Sequence, residues 1–223
     1  MDKRQSDSIR NVLIVTSVEA EKEAIMQGID QNDTNLTVVV SGVGIAASAA
    51  TTAMEISINN YDLVLNLGIG GAFPGKAEIA SIVVSSDVIA ADLGAETDEG
   101  FVPIEKLGFG ASTVHVDKSL VDKVVTTINK MDIPVYTGPI LSVSTVTGTM
   151  EQAHLLEERV PGAIVEAMEG YGVAIAAQKM NVPMLEIRSI SNMVGPRDRD
   201  AWRIKEALQS LTVISSKLQE VLT

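Results

Sequence analysis

Glu169 and Asn192 are the residues whose positions most suggest chemistry, because each lies at or near the end of an apolar run. The run AIV at 163–165 is followed by Glu169 and then by small residues, a pattern typical of a buried strand leading into a closely packed helix. A second strand-like run, 183–190, ends two residues before Asn192. Because ligand-contacting groups lie at such strand ends in open α/β sheets, we expect both side chains to face one crevice.

Three more carboxylates follow the first apolar strand, NVLIVTS at 11–17. Glu19, Glu21 and Glu23 fall at or just inside the start of a helix that Gly28 ends. Carboxylates at a helix N-terminus complement the helix dipole. From the residues alone, this structural role is the preferred interpretation of all three.

Two glycine-rich segments each follow a strand. SGVGIAA at 41–47 fits the dinucleotide fingerprint, but the next strand ends at Asn66 instead of the acid that would hold a ribose, which favours a simple tight turn. The second segment, LGIGGAFPG at 67–75, is predicted to be a loop whose N–H groups approach a ligand. Neither segment contains the lysine or arginine that usually completes a phosphate site.

The composition indicates a single domain, over 1–223, that binds a small molecule. The chain has 223 residues, 46% of them hydrophobic, and a net charge of -12, which argues against a nucleic-acid partner. There is no cysteine, and the two histidines lack metal-ligand spacing, so we expect no metal and no thiol chemistry. The start of the chain looks like a frayed leader without a signal-peptide core, and no apolar run is long enough for a membrane, which predicts a cytoplasmic protein.

Strand-like and helical segments alternate between these residues. Strands are predicted at 11–17, 36–40, 62–68, 81–89 and 133–146, the last broken at Gly138–Pro139, and helices at 19–28, 118–131 and 150–158. Residues 91–110 have no helical period and are predicted to form a long loop. An amphipathic helix from Ala201 to Leu222 is predicted to end the chain, with Trp202 anchoring its start.

Several motifs together resemble the nucleoside phosphorylase and nucleosidase superfamily, and within it the futalosine hydrolases. The motifs are TSVEAE at 16–21, SGVG at 41–44, LGIGGAF at 67–73, ADLGAETDEGF at 91–101, LGFG at 107–110, TVTGT at 145–149, MEG at 168–170, EIRSISNMVG at 186–195 and PRDRDAW at 196–202. The resemblance implies a single-domain, three-layer α/β/α fold with a mixed, partly barrel-like central sheet. It also implies a homo-oligomer, with a dimer favoured, in which the loop at 91–110 reaches a neighbouring subunit's site.

The same resemblance implies roles for particular residues. Glu21 matches the carboxylate that activates water, and Glu169 would accept hydrogen bonds from the ribose hydroxyls. Ile69 occupies the position of a phosphate-binding hydroxyl in related phosphorylases, so water is the expected nucleophile. The remaining expected substrate contacts are Val43, Gly70, Gly71, Thr147 and Met168. The alternatives are purely structural roles, in which Glu169 caps the following helix and Met168 fills the core.

Asn192 differs from the aspartate that adenine-specific nucleosidases carry at this position to protonate the purine. Asparagine cannot deliver a proton, but it can donate one hydrogen bond and accept another, which suits a 6-oxopurine such as hypoxanthine. A turn-forming asparagine before a Gly-Pro break is the alternative. The implied reaction is hydrolysis of futalosine to hypoxanthine and dehypoxanthine futalosine, in the alternative menaquinone route, without a cofactor.

Arg197 and Arg199 are candidates for binding the benzoate end of such a substrate. Their alternation with Asp198 and Asp200 allows a second interpretation, in which the four charges neutralise one another. Two other functions stay open: a methylthioadenosine/adenosylhomocysteine nucleosidase, against which Asn192 argues, and a non-catalytic nucleoside- or dinucleotide-binding module.

Overall fold

The computed structural model describes residues 11–30 and 35–218, and the predicted leader at 1–10 lies outside them. The strands are β1 Val12–Thr16, β2 Leu36–Val40, β3 Leu63–Ala72, β4 Ile82–Ala90, β5 Gly94–Thr97, β6 Gly100–Pro103, β7 Thr113–His115, β8 Val135–Ser142, β9 Val165–Ala167 and β10 Met184–Met193. The helices are α1 Glu19–Gly28, α2 Ile45–Ile58, α3 Lys118–Ile128, α4 Met150–Arg159, α5 Gly170–Lys179 and α6 Ile204–Ser215.

The central sheet is mixed and partly closed. Strand β3 pairs with β9 on one side and β10 on the other, and β10, β4, β8 and β9 are joined in that order, so five strands form a ring. Strands β1 and β2 extend the sheet from β3, both in parallel. This closure confirms the predicted partly barrel-like sheet.

Helices cover both faces of the sheet. On one face α1, α3 and α6 bury apolar side chains such as Ile25, Val124 and Leu211 against the strands. On the other face α5 packs through Val173 and its alanines. Any side chain at Gly172 would collide with the carbonyl of Ile45, so glycine there lets α5 approach α2 closely.

The predicted glycine loop at 67–75 is wrong over most of its length, because β3 continues through it to Ala72. Strands on both sides give these residues ladder partners, including Gly68 with Arg188 and Gly71 with Asn192. Glycine is required here because the strands leave no room for a side chain; a Cβ on Gly70 would lie 2.7 Å from the Val165 side chain. Close approach of neighbouring strands therefore explains a composition that resembles a loop.

Three other predicted segments need correction. The long loop at 91–110 contains the hairpin β5–β6, whose tight turn is closed by a hydrogen bond from Thr97 Oγ1 to Gly100 O. The break at Gly138–Pro139 is absent, because β8 runs through it and the neighbouring strand β4 bulges opposite Pro139. The last helix begins at Ile204, since Ala201 belongs to a separate 3₁₀ turn, and Leu222 lies outside the described residues.

Candidate active site

A cavity of about 340 Å³ lies at the carboxyl ends of the mutually parallel strands β1, β3 and β10. Strand direction explains its position, because parallel strands bring their following residues to one edge of a sheet. Sixteen residues line it: Ser17, Val18, Glu21, Val43, Ile69, Gly70, Gly71, Val146, Glu166, Ala167, Met168, Glu169, Ser191, Asn192, Trp202 and Ile204. The cavity therefore brings together Glu21, Glu169 and Asn192, which lie far apart in the sequence.

Glu21 is held in the cavity wall by four hydrogen bonds. Its Oε2 accepts from Ser17 N at 2.9 Å, Ser17 Oγ at 2.7 Å and Val18 N at 3.3 Å, while Oε1 accepts from Ile69 N at 2.9 Å. The side chain is only 2% exposed, and a Cβ on Gly68 would lie 2.6 Å from Oε1. Donors from the ends of two strands thus fix a buried carboxylate in one orientation.

Glu169 occupies the N-cap position of α5, but its side chain does not cap the helix. Its Oε1 accepts from Gly44 N at 3.2 Å, and its Oε2 lies 3.3 Å from Arg188 Nη2. The N-cap alternative for this carboxylate is therefore wrong. Its orientation is set by the turn before α2 and by a cation on β10.

Arg188 is fully buried behind the cavity and is the centre of a polar network. Its Nε donates to Glu186 Oε1 at 2.8 Å, and its Nη2 donates to Asn66 Oδ1 at 2.6 Å. The second oxygen of Glu186 has no hydrogen-bond partner and lies against Gly170, where any Cβ would overlap it. The network holds Glu169 from behind with a cation that does not itself line the cavity.

The charges of this network set the protonation of the buried arginine. Burial by itself lowers the pKa of the Arg188 guanidinium, yet three nearby carboxylates outweigh burial and raise that pKa above its ordinary value. These carboxylates belong to Glu186, Glu169 and Glu21. Burial also raises the pKa of the Glu186 carboxyl, against the opposing effect of Arg188.

Asn192 is half-buried near the end of β10 and lines the cavity together with Glu169. Ser191 Oγ donates to its Oδ1 at 2.8 Å, and its Nδ2 donates to Met193 O at 3.0 Å. One N–H of Nδ2 and one lone pair of Oδ1 remain for a ligand. The side chain can thus donate one hydrogen bond and accept another, as the sequence predicts.

The cavity also contains a carboxylate that the sequence analysis missed, Glu166 on β9. It is 6% exposed and accepts hydrogen bonds from Thr147 N, at 2.9 Å, and from Thr147 Oγ1. Burial raises the pKa of the Glu166 carboxyl above its ordinary value, although the bonds from Thr147 act in the opposite direction. The sequence does carry a signal for this residue, because Glu166 is an acid inside the apolar run AIVEAM.

The other predicted contact residues divide into two groups. Val43, Gly70, Gly71 and Met168 line the cavity. Thr147 does not; it lies behind Glu166 and lines a neighbouring cleft.

Arg197 and Arg199 are exposed outside the cavity, with their guanidinium carbons 5.6 and 5.9 Å from the ring centre of Trp202. Trp202 itself lines the cavity, a role beyond the predicted anchoring of the last helix. The two arginines therefore contact a residue of the cavity wall but do not line the cavity themselves.

Two more residues were missed although the sequence carries a signal for them. Glu186 and Arg188 are charged residues two apart within an apolar strand, a spacing that places both side chains on one face. A buried ion pair is the economical interpretation of that pattern. Asn66 completes it from β3, and only the pairing of β3 with β10 reveals this partner.

Comparisons with known proteins identify the family. A profile of the phosphorylase superfamily matches residues 12–223, and the chain belongs to this superfamily. It is 42% identical to a futalosine hydrolase of Streptomyces coelicolor, over 95% of this chain and 96% of that protein. It is 30% identical to a 5'-methylthioadenosine/S-adenosylhomocysteine nucleosidase of Maridesulfovibrio salexigens, over 85% of this chain and 84% of that protein.

A solved structure shows the same fold. The native structure of futalosine hydrolase of Helicobacter pylori strain 26695 superposes with a TM-score of 0.79, covering 96% of this chain and 97% of that one at 20% identity. The predicted nucleoside phosphorylase-like α/β fold is thereby confirmed.

Proposed function

We propose that the protein is an N-ribosyl hydrolase that cleaves futalosine to hypoxanthine and dehypoxanthine futalosine, a step of the alternative menaquinone route. The observation that carries this proposal is a cavity with fixed carboxylates and a carboxamide, in a chain 42% identical to a futalosine hydrolase. None of the described residues that line the cavity is a lysine or arginine. Water therefore fits the nucleophile position better than phosphate does.

In the proposed reaction Glu21 is the general base. Water attacks the anomeric carbon of the ribose and passes a proton to Glu21, while the electrons of the bond to the purine leave with the base. The four donors around Glu21 support this role, because they hold the carboxylate in place before the substrate arrives.

Glu169 is proposed to bind the 2′ and 3′ hydroxyls of the ribose. A carboxylate can accept both hydrogen bonds, and its charge stabilises the positive charge that develops on the sugar. The contacts to Gly44 N and Arg188 support the role, since they orient a side chain that lines the cavity. Met168 beside it would pack against the sugar face.

Asn192 is proposed to bind the departing base. Its free N–H can donate to O6 of a 6-oxopurine, and its free lone pair can accept from the N7–H of a departing tautomer, since the lactam leaves as an anion or tautomer without a strong acid. The space supports a substrate longer than a simple nucleoside, because a second cavity of about 540 Å³ adjoins the first and shares Val43 and Met168 with it.

A nucleosidase acting on methylthioadenosine or adenosylhomocysteine is the second candidate, favoured by the 30% identical relative. Asn192 argues against it, because an adenine leaving group needs a proton that a carboxamide cannot supply. A non-catalytic nucleoside-binding module would bind ligands without turnover.

The deciding experiment follows base release chromatographically from futalosine, inosine and methylthioadenosine in parallel. We expect hypoxanthine from futalosine at the highest kcat/KM. Preferred release of adenine from methylthioadenosine would move the protein to the second candidate. Tight binding with no released base from any substrate would identify a binding module.

We also propose that the enzyme acts in the cytoplasm as a homodimer. Phe109, in the segment 104–112 after β6, is 79% exposed, and Val43, which lines the cavity, is 55% exposed; we infer that both apolar side chains take part in the subunit contact. Sedimentation velocity at several concentrations tests the oligomeric state, and a monomer at every concentration would contradict it. No helix among the described residues is long and apolar enough to cross a bilayer.

A further inference from the structure

Glu166 has no task in the reaction described above, although it is a carboxylate in the cavity wall. None of the described cations forms an ion pair with it. A carboxylate that is 6% exposed and lacks a cation is costly to keep in a fold unless donors satisfy it. Its partners therefore indicate what else it can bind.

Thr147 satisfies only part of this carboxylate. Its backbone N–H and its hydroxyl donate to one Glu166 oxygen each. A carboxylate has about four lone-pair sites, so acceptor capacity remains on both oxygens. With Thr147 behind it and the cavity in front, the side chain can take a further N–H donor from a ligand.

The sheet places Glu166 opposite Asn192. In the strand registers, Gly71 of β3 pairs with Asn192 of β10 on one side and with Glu166 of β9 on the other. The two polar residues are thus two strand spacings apart, about 10 Å between Cα atoms. Both side chains line the same cavity, so they face it from its two flanks.

Gly71 lies between these two residues in the sheet and lines the cavity with them. A Cβ there would lie 3.0 Å from Asn192 Nδ2 and 3.1 Å from the side chain of Val194, so glycine at this position leaves Asn192 in place. Because Glu166, Gly71 and Asn192 all line one cavity, a flat ring inside it can present its edges to both a carboxamide and a carboxylate. Asn192 offers a donor and an acceptor, whereas an ionised Glu166 offers only acceptors.

We propose that Glu166, oriented by Thr147, determines base specificity by accepting a hydrogen bond from the ring N1–H of a 6-oxopurine whose other polar edge is bound by Asn192. A 6-aminopurine carries a lone pair at N1, which would face the carboxylate and be repelled by it. The proposal rests on the proposed function, since it concerns the base released there. It assigns the discrimination between oxo- and aminopurines to two residues on opposite sides of Gly71.

The test measures binding of free bases by calorimetry, which needs no turnover. We expect the wild-type protein to bind hypoxanthine about 10- to 100-fold more tightly than 1-methylhypoxanthine or adenine, the range of a hydrogen bond to a charged group. In Glu166→Gln the same ratios should fall to within about threefold, because the amide turns an N–H toward the cavity. Glu23→Gln, on the exposed side of α1, is the matched control and should keep the wild-type ratios.

Thr147→Val provides a second variant, because it removes the hydroxyl donor but keeps the shape and leaves the carboxylate in place. Its ratios should fall between those of wild type and Glu166→Gln. Equal binding of hypoxanthine and 1-methylhypoxanthine by the wild-type protein would overturn the proposal without any variant. A folded Glu166→Gln protein that keeps the wild-type ratios would overturn it as well.

Failure of this proposal and failure of the proposed function are separable. If futalosine is hydrolysed but Glu166→Gln leaves the affinity ratios between the free bases unchanged, the specificity role of Glu166 is wrong and the proposed function is supported. If the affinity ratios drop in Glu166→Gln as expected but no base is released from futalosine, the base-binding site is supported and the hydrolase function is wrong.

Discussion

At the scale of single residues, the position of Glu21 is set by its own neighbours in the chain. Ser17 and Val18 supply three of its four hydrogen bonds, and Ile69 supplies the last. The third residue of a helix can form these contacts because its side chain reaches back to the N–H groups at and just before the N-cap, as in a capping box. The position of Glu21 at the start of the helix, which the helix-dipole interpretation explains, is therefore also the position that the catalytic proposal requires.

Glu21→Gln is expected to lower kcat about 10²- to 10⁴-fold while hypoxanthine binding stays within a few-fold of wild type. The amide directs an N–H toward backbone donors, so we also expect a loss of about 1–3 kcal/mol in the free energy of unfolding. Timed assays of base release measure kcat, calorimetry measures hypoxanthine binding, and urea denaturation measures the free energy of unfolding. Glu23→Gln is the control on the same helix, and a near wild-type kcat in Glu21→Gln would exclude Glu21 as the base.

Arg197 and Arg199 lie against Trp202 and not inside the cavity. We propose that one of them binds the outer end of a long substrate, such as the benzoate of futalosine. We expect replacement of the responsible arginine by methionine to raise KM for futalosine about tenfold or more, and to change KM for its benzoate methyl ester much less. Equal changes for both substrates would assign that arginine to packing on Trp202.

At the scale of secondary-structure elements, the turn from β9 into α5 combines a residue proposed to bind substrate with a packing constraint. Glu169 ends the turn, and Gly170 begins the helix directly against the Glu186 carboxylate. A larger residue at 170 would have to displace that carboxylate from Arg188. Because Arg188 also contacts Glu169, the shift would reach the residue proposed to bind the ribose.

Gly170→Ala is therefore expected to cost about 1–3 kcal/mol in the free energy of unfolding, as overpacking of a tight site does. The activity of the folded fraction should fall too. Gly148→Ala is the control, because a Cβ there meets no atom within 4 Å. Urea denaturation of the two variants checks the difference, and equal midpoints would mean that the carboxylate moves aside at no cost.

At the scale of the whole molecule, closure of the strand ring determines what the cavity contains. Strand β3 pairs with β10 on one side and β9 on the other, so residues from three distant parts of the chain meet around its glycines. The protein carries a net charge of -12. Its acidic surroundings and the carboxylates of the cavity disfavour a free dianion and favour a developing cation on the sugar.

Added phosphate is accordingly expected neither to accelerate cleavage nor to enter the products. Phosphorus NMR of the reaction mixture should show inorganic phosphate alone, and the sugar product should carry a free anomeric hydroxyl. Sodium sulfate at equal ionic strength is the control for salt effects. A ribosyl 1-phosphate signal would place the protein among the phosphorylases instead.

Much of the architecture follows from local sequence patterns. The apolar run before Glu21, the small residues after Glu169 and the strand before Asn192 predict their elements within a few residues, because alternation of apolar residues and helix-forming stretches is a local property. The polar residues at the ends of parallel strands are then expected at one edge. The local sequence thus predicted that Glu169 and Asn192 would face one cavity, whereas Glu21 was added only by the family resemblance.

The pairing of distant strands was decided only by the tertiary structure. Asn66 and Arg188 are 122 residues apart, and their hydrogen bond exists because β3 accepts β10 as a neighbour. The same pairing turns an apparent glycine loop into a strand and brings Glu166 into line with Asn192 across Gly71. Nothing local encodes such contacts, because each strand could satisfy its hydrogen bonds with several partners until burial of all the faces together selects one arrangement.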